Sequence, residues 1–542
     1  MSRLAISATA PSRLRIGSVL APVGTHRSAA AMLTRRRTPE LDWSRDFAWR
    51  RSDPQKRQEP IYEPRGSIFD VRGSDRRLRI VLSTEAEEQA DDSPGELALS
   101  LLAGDQIELL RYADDGPPPD AERIDTSWEP QAVDGWVTVQ LTPDTYMASM
   151  GSCTLATAAG IQGGGLGGAD GVNLAIGHDS RNKAPAPDYM ATALGRAAIA
   201  LRASLGADAD ILITERDALH PPPLGLDREP IEVLRPADTL PLLGLYLRSR
   251  GRFLVDVHKD GGTYTIHPPL YWHKAAFALA PSLELRLHQS MSDTGLTLPQ
   301  ALALRGITAR IALALQARDE LLRASLVPPQ SEPASAAAPG LDYVMLSLGA
   351  ALDSLGKLVH HTLNAPGEDD RVSWTSDRRG KDGKGSSWLR DLSHVEGGNT
   401  IRSVARNEKA VHFLRILSQL RNSIHGGAPE TIPAADDNYT YRPDRTLVRV
   451  SVRDAELLLQ SRDHLGGERV WRIWPWMARD SRVVVVDPAP VGDSLIQHTT
   501  SFIDEVIDAL PPLELSPTGK RLDARTAERI RWALGLHQPS KS

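Results

Sequence analysis

The spacing of apolar residues changes twice along this chain, and each change predicts a different architecture. Leu78 to Leu82, Gln106 to Tyr112 and Trp136 to Leu141 are short runs rich in β-branched and aliphatic residues, the last with period two, as strands require. Glu96 to Leu102 is short and apolar, and Asp114 to Pro119 is a turn-forming stretch. Together these predict a β-rich domain over 63–145. From Asp188 the pattern alternates: helix to Leu205, strand Ala209 to Thr214, strand Ile231 to Leu234, helix Ala237 to Ser249, strand Phe253 to Val257, and a strand-like Tyr264 to His267. Such alternation predicts a small open parallel sheet in an α/β domain over 146–294.

Helical periodicity dominates afterwards. A long helix is expected over 295–326, then a Pro/Ala/Ser linker over 327–340, VPPQSEPASAAAPG. Beyond it, Leu341, Val344, Met345, Leu348, Leu352, Leu355 and Val359 mark one helix. Val404, Val411, Leu414, Leu417, Leu420 and Ile424 mark a second from Arg402 to Gly426, and Ser494 to Leu510 is a third. Stripes of this kind bury against each other, so 341–512 is expected as a helical bundle carrying a small β insert, with strands Leu447 to Val452, Val470 to Trp476 and Val483 to Val486. A helix and tail fill 513–542. The fold class predicted is α+β, multidomain.

Composition narrows the function classes. A net charge of -6 excludes a globally basic nucleic-acid-coating protein. A single cysteine, Cys153, excludes an internal disulfide and a cysteine-built zinc site. No apolar run approaches the roughly 20 residues of a spanning helix, so a soluble, cytoplasmic protein with no membrane partner is expected. Residues 1–62 read as a disordered or irregular basic lead-in, because the first 39 contain no acid.

Two Gly-rich runs, Gly160 to Gly171 and Gly380 to Ser387, lack the Gly-Lys-Ser/Thr ending of a phosphate-cradling loop. Both read as loops, and no cofactor is expected. His267 and His273 match no zinc spacing. Glu215, Asp217 and Asp256 follow or end apolar strands, where ligands of open parallel sheets gather, and such carboxylates suit Mg²⁺ in a nuclease or hydrolase. The helix followed by ADILITERDAL, within 188–257, resembles the second half of a PIN-type nuclease domain. That family's strand ends Thr-x-Asp; here Arg216 stands at the Asp position and no early strand ends in the other required acid, so the domain reads as a scaffold rather than a nuclease.

The remaining candidate chemistry is Arg421-Asn422-Ser423-Ile424-His425, followed by Gly426-Gly427. Arg421 and His425 are four apart, on one face of a helix end. Cations there also complement the helix dipole, so capping is one reading. The long helix pair, the L-R-N-S-I-H-G helix end and the closing helix resemble a HEPN domain, a helical fold of toxin and antiviral ribonucleases. Three residues separate Arg421 from His425, where that family commonly has four to six. The resemblance implies metal-independent RNA cleavage. His425 would be general acid or base, Arg421 would hold the phosphate, and Asn422 would orient either. It also implies a homodimer, with RNA as substrate and an antitoxin as possible partner, in a toxin or phage-defence role. The alternative is a non-catalytic HEPN-like protein- or RNA-binding module.

Overall fold

The structure, a computed structural model, describes residues 69, 77–89, 93–115, 134–141, 151–157, 160–165, 193–220, 231–257, 263–291, 296–326, 332–369, 372–375, 388–423, 427, 429–432, 446–466, 476–513 and 521–536. It is a mixed α+β protein with one large sheet, a small antiparallel sheet and many helices. The expected basic lead-in, the loop 380–387 and the strand start at Val470 lie outside the described residues.

Strands β1 (Leu78–Ser83), β2 (Ile107–Tyr112), β3 (Gly135–Leu141), β4 (Gly151–Thr157), β5 (Gly160–Gly165), β6 (Ile211–Ile213) and β7 (Glu232–Leu234) make one seven-stranded sheet, ordered β5-β4-β3-β2-β1-β6-β7. The five strands from β3 to β7 in that order are mutually parallel, while β4 and β5 add antiparallel at one edge. The boundary expected at residue 145 therefore runs through this sheet, between β3 and β4. Backbone pairing between segments far apart in the chain leaves no local signature, which is why the two portions read as separate.

Helices cover both faces. Helix α1 (Pro94–Leu101) and α3 (Pro236–Ser249) share a core with Leu78, Ile80, Leu82, Ile107 and Leu109. Helix α2 (Ala193–Gly206) packs with Val81, Leu110, Tyr112 and Leu212 on the other side. Strand neighbours alternate faces, so β1 and β2 are apolar on both. Glu96 to Leu102 is thus helix, started by Ser93, whose side chain accepts from Glu96 N. Two expectations differ here. Gly160–Gly165 is not loop but edge strand, its glycines paired with Ser152 to Thr157. Phe253 to Val257 is not in the large sheet: β8 (Leu254–Val257) pairs antiparallel with β9 (Thr263–Thr265) as a separate hairpin.

The helical half begins with α4 (Pro268–Leu279), α5 (Pro281–Met291) and α6 (Leu298–Ser325), followed by α7 (Ala337–Thr362). Of the stretch expected as a domain linker, 327–331 lie outside the described residues. Glu332–Ala336 is a 3₁₀ turn, and Ala337 to Gly340 already belong to α7. Helices α6 and α7 lie along one another, with Gly340 against Leu321 and Gly306 against Ser354. Contrary to the sequence expectation, α6 is long and apolar enough to cross a membrane, although half of that stretch is buried in a core shared with α4, α7 and α12 (Pro488–Asp508).

The helix expected from Arg402 to Gly426 is two helices, α9 (Gly398–Arg406) and α10 (Glu408–Asn422), which follow a short α8 (Trp388–Leu392). Asn407 breaks it at φ -52°, ψ 138°, and its side chain caps α10 by accepting from Lys409 N at 3.0 Å. The buried row is Phe413, Leu414, Ile416, Leu417 and Leu420, while Val411 is half-buried. Strands β10 (Glu430–Ile432), β11 (Leu447–Ser451), β12 (Trp476–Asp480) and β13 (Val483–Val486) form the small sheet, ordered β10-β11-β13-β12, with α11 (Ala455–Gly466) between β11 and β12. Helix α13 (Ala524–Leu534) closes the described chain and ends at Gly535, whose φ of 70° favours glycine.

Candidate functional site

Arg421 lies in the last turn of α10, one residue before Asn422. Its stem crosses α7 at Gly349, where a Cβ would stand 2.6 Å from Arg421 Cδ. Its guanidinium then meets Asp353 of α7 at two points: Nη2 donates to Oδ2 at 2.9 Å and Nη1 to Oδ1 at 3.4 Å. Arg421 keeps 38% of its side-chain surface exposed and Asp353 52%, so solvent screens the pair and its worth is about 0–1 kcal/mol. Ser423 is buried and donates to Leu420 O, and Gly427 takes φ 149°. The helix stop expected at Gly426-Gly427 comes earlier, after Asn422. His425 lies outside the described residues.

On α7, Tyr343, Leu346 and Asp353 follow one solvent-facing stripe; Tyr343 is 62% and Leu346 42% exposed. This stripe runs past the Arg421 contact, so large apolar side chains and a held guanidinium share one surface.

A second constellation lies on the large sheet. Parallel order β3-β2-β1-β6-β7 reverses at β1, which makes the C-terminal ends of β1 and β6 a topological switch point. Glu85, just past β1, accepts from Thr214 Oγ1 at 2.6 Å and from Arg216 Nε at 2.9 Å. Arg216 Nη2 also donates to Asp114 Oδ1 at 2.9 Å, and its guanidinium lies 5.8 Å from the Tyr112 ring centre. Burial works against the Glu85 charge, but hydrogen bonds from Arg216, Ser83 and Thr214 hold its carboxyl below the usual range. Arg111, the β2 residue before Tyr112, is buried against Glu87, Nε to Oε1 3.2 Å. Burial lowers the Arg111 pKa and raises that of Glu87.

These residues carry no local motif: Glu85 and Arg216 are joined across 131 positions. The one visible signal was Arg216 itself, standing where a metal-binding Asp would be expected. It is the cation that the neighbouring carboxylates surround.

Glu215 and Asp217 are both held by one cation. Arg235 Nη1 donates to Glu215 at 2.9 Å and Nη2 to Asp217 at 2.8 Å, so each already has a cationic partner. Asp256 belongs to β8, in the separate hairpin. Beside them, burial pushes Asp238 up to about 6, despite the opposing charge of Arg235.

Comparison with protein-family models, curated proteins and solved structures finds no match.

Proposed function

We propose that this chain is a metal-independent, HEPN-like endoribonuclease, with residues 341–512 as its HEPN-like domain and Arg421, Asn422 and His425 as its site. The observation that carries the reading is Arg421: a solvent-reachable guanidinium, aimed by Asp353, at the end of the helix that bears the motif. A weak, screened ion pair orients the side chain yet yields to a phosphate, whose charge and geometry suit a guanidinium. In the reaction the ribose 2′-oxygen attacks the adjacent phosphorus as His425 takes its proton. The bond to the 5′-oxygen breaks, that oxygen gains a proton, and a 2′,3′-cyclic phosphate remains. Arg421 stabilises charge on the phosphate oxygens, and Asn422 orients either partner. The exposed Tyr343 and Leu346 stripe supports a homodimer in which two such sites adjoin. A cytoplasmic toxin or phage-defence role, with an antitoxin as partner, belongs to the same proposal.

The test is purified protein incubated with total RNA in EDTA. Wild-type cleavage should persist, His425→Ala should abolish it, and Arg421→Lys should lower the rate about 100-fold. Loss of cleavage in EDTA, or full activity in His425→Ala, overturns the reading. A second reading is favoured by the same Asp353 pair: Arg421 ties α10 to α7 in a non-catalytic binding module. No cleavage by wild type, with Arg421→Ala altering only the melting temperature, selects it.

A further inference from the structure

We propose that Glu408, His412 and His464 form a transition-metal site that joins α10 to α11. Glu408 and His412 are four apart at the start of α10, hence on one face of the helix. His464 comes from the last turn of α11. The imidazole rings of His412 and His464 stack with centroids 4.2 Å apart and planes 15° apart. His464 Nδ1 lies 3.6 Å from Glu408 Oε1, and one donor atom from each of the three falls within 4.8 Å of the others. His412 Nδ1 is buried with no hydrogen-bond partner, so one ring nitrogen has no other use.

Tetrahedral coordination at Zn–N distances of about 2.0–2.1 Å sets donors about 3.3 Å apart. The present spacing must therefore close by an ångström or so. Glu408 and His464 have 77% and 55% of their side-chain surface exposed, and on binding the His464 ring must also turn out of the parallel stack, since a metal lies in the plane of each imidazole that ligates it. Arg415 is a cation close enough to act on His412, and its Nη1 is turned to Ser461 Oγ at 3.4 Å.

Two imidazoles and one carboxylate select a borderline divalent ion such as Zn²⁺ or Co²⁺ over Mg²⁺ or Ca²⁺, which prefer all-oxygen shells. Three protein ligands leave a fourth position for water. The ion would clamp α11, and with it the small sheet, to the helix that carries Arg421. Its role is structural and separate from the EDTA-resistant cleavage proposed above.

The experiment titrates the full chain, stripped with chelator and then dialysed, with CoCl₂ and with ZnSO₄. Visible Co²⁺ absorption should saturate at a single equivalent, Zn²⁺ should displace it, and excess Zn²⁺ should raise the melting temperature by about 2 °C or more. His412→Ala and His464→Ala should each weaken binding at least tenfold, while His273→Ala on the exposed side of α4 keeps it. Each variant's metal-free melting temperature shows that it folds. Absence of saturable binding in wild type, or unchanged binding in the His412→Ala/His464→Ala double variant, overturns the site. Both readouts are independent of RNA cleavage, so either proposal can fail alone.

Discussion

His498 on α12 stacks on the Phe413 ring of α10, centroids 5.7 Å apart and planes 22° apart. Burial pushes its pKa down to about 4, with Lys409 adding repulsion. The folded state thus prefers neutral imidazole, whereas an unfolded chain titrates near 6.5. Because the pKa is depressed on folding, its contribution is fully present above pH 6.5 and is lost as pH falls from 6.5 towards 4, where the unfolded state binds more protons. The loss should approach about 3 kcal/mol near pH 4 and be about 2 kcal/mol at pH 5. Urea midpoints at pH 7.5 and pH 5 measure it. His498→Phe keeps the ring stack and removes the titration, so its midpoint should fall less than that of wild type. Equal slopes in both proteins would show that His498 is charged in the fold. None of this was legible along the chain, since a lone histidine on a polar stretch gives no hint of the ring above it. Arg216 illustrates the same limit from the other side. Its position after an apolar strand was readable, but the partners that give it meaning, Glu85 and Asp114, arrive from distant strand ends.

At the scale of elements, local periodicity was informative wherever one face of a segment meets one core. Strands β1, β2, β3 and β6, and helices α3 and α6, fall close to their expected places for that reason. It misled where a single residue overrides the period. The apolar stripe runs on through Asn407, yet an extended backbone and a side-chain cap there split α9 from α10. The crossing of α7 with α10 depends on another such residue, Gly349. Replacing it with Ala puts a methyl carbon 2.6 Å from Arg421 Cδ and 2.9 Å from its Nε. The helix itself gains, since Ala is favoured over Gly by about 1 kcal/mol in a helix interior. Only a flexible, partly exposed side chain must move. Gly349→Ala should therefore leave the melting temperature within about 2 °C while displacing Arg421 from Asp353. RNA cleavage should drop at least tenfold if Arg421 works from its present position. Unchanged cleavage in a well-folded variant would remove the Asp353-held geometry from the mechanism.

At the scale of the whole molecule, the sheet layers and the helical half meet at a buried set of charges. Arg248 of α3 pairs with Asp319 of α6, and Arg318 of α6 pairs with Asp493 of α12. The two guanidinium groups also donate to the carbonyls of Ala533 and Leu534 at 2.9 and 2.7 Å, satisfying the end of α13. Gly244 of α3 admits α13 so closely that a Cβ would stand 2.2 Å from Ala533 O. Two cations balance two anions here, and Arg318 is fully buried, so removing one partner strands a charge where water cannot reach it. Asp493→Ala should cost about 3–5 kcal/mol. Replacing both partners, as Arg318→Met with Asp493→Leu, should cost markedly less than the sum of the single changes, because no uncompensated charge remains. A double-mutant cycle by urea denaturation reads the difference. Additive losses would mean that Arg318 contributes packing alone, and that the carbonyls of α13, rather than the ion pairs, join the two halves of the protein.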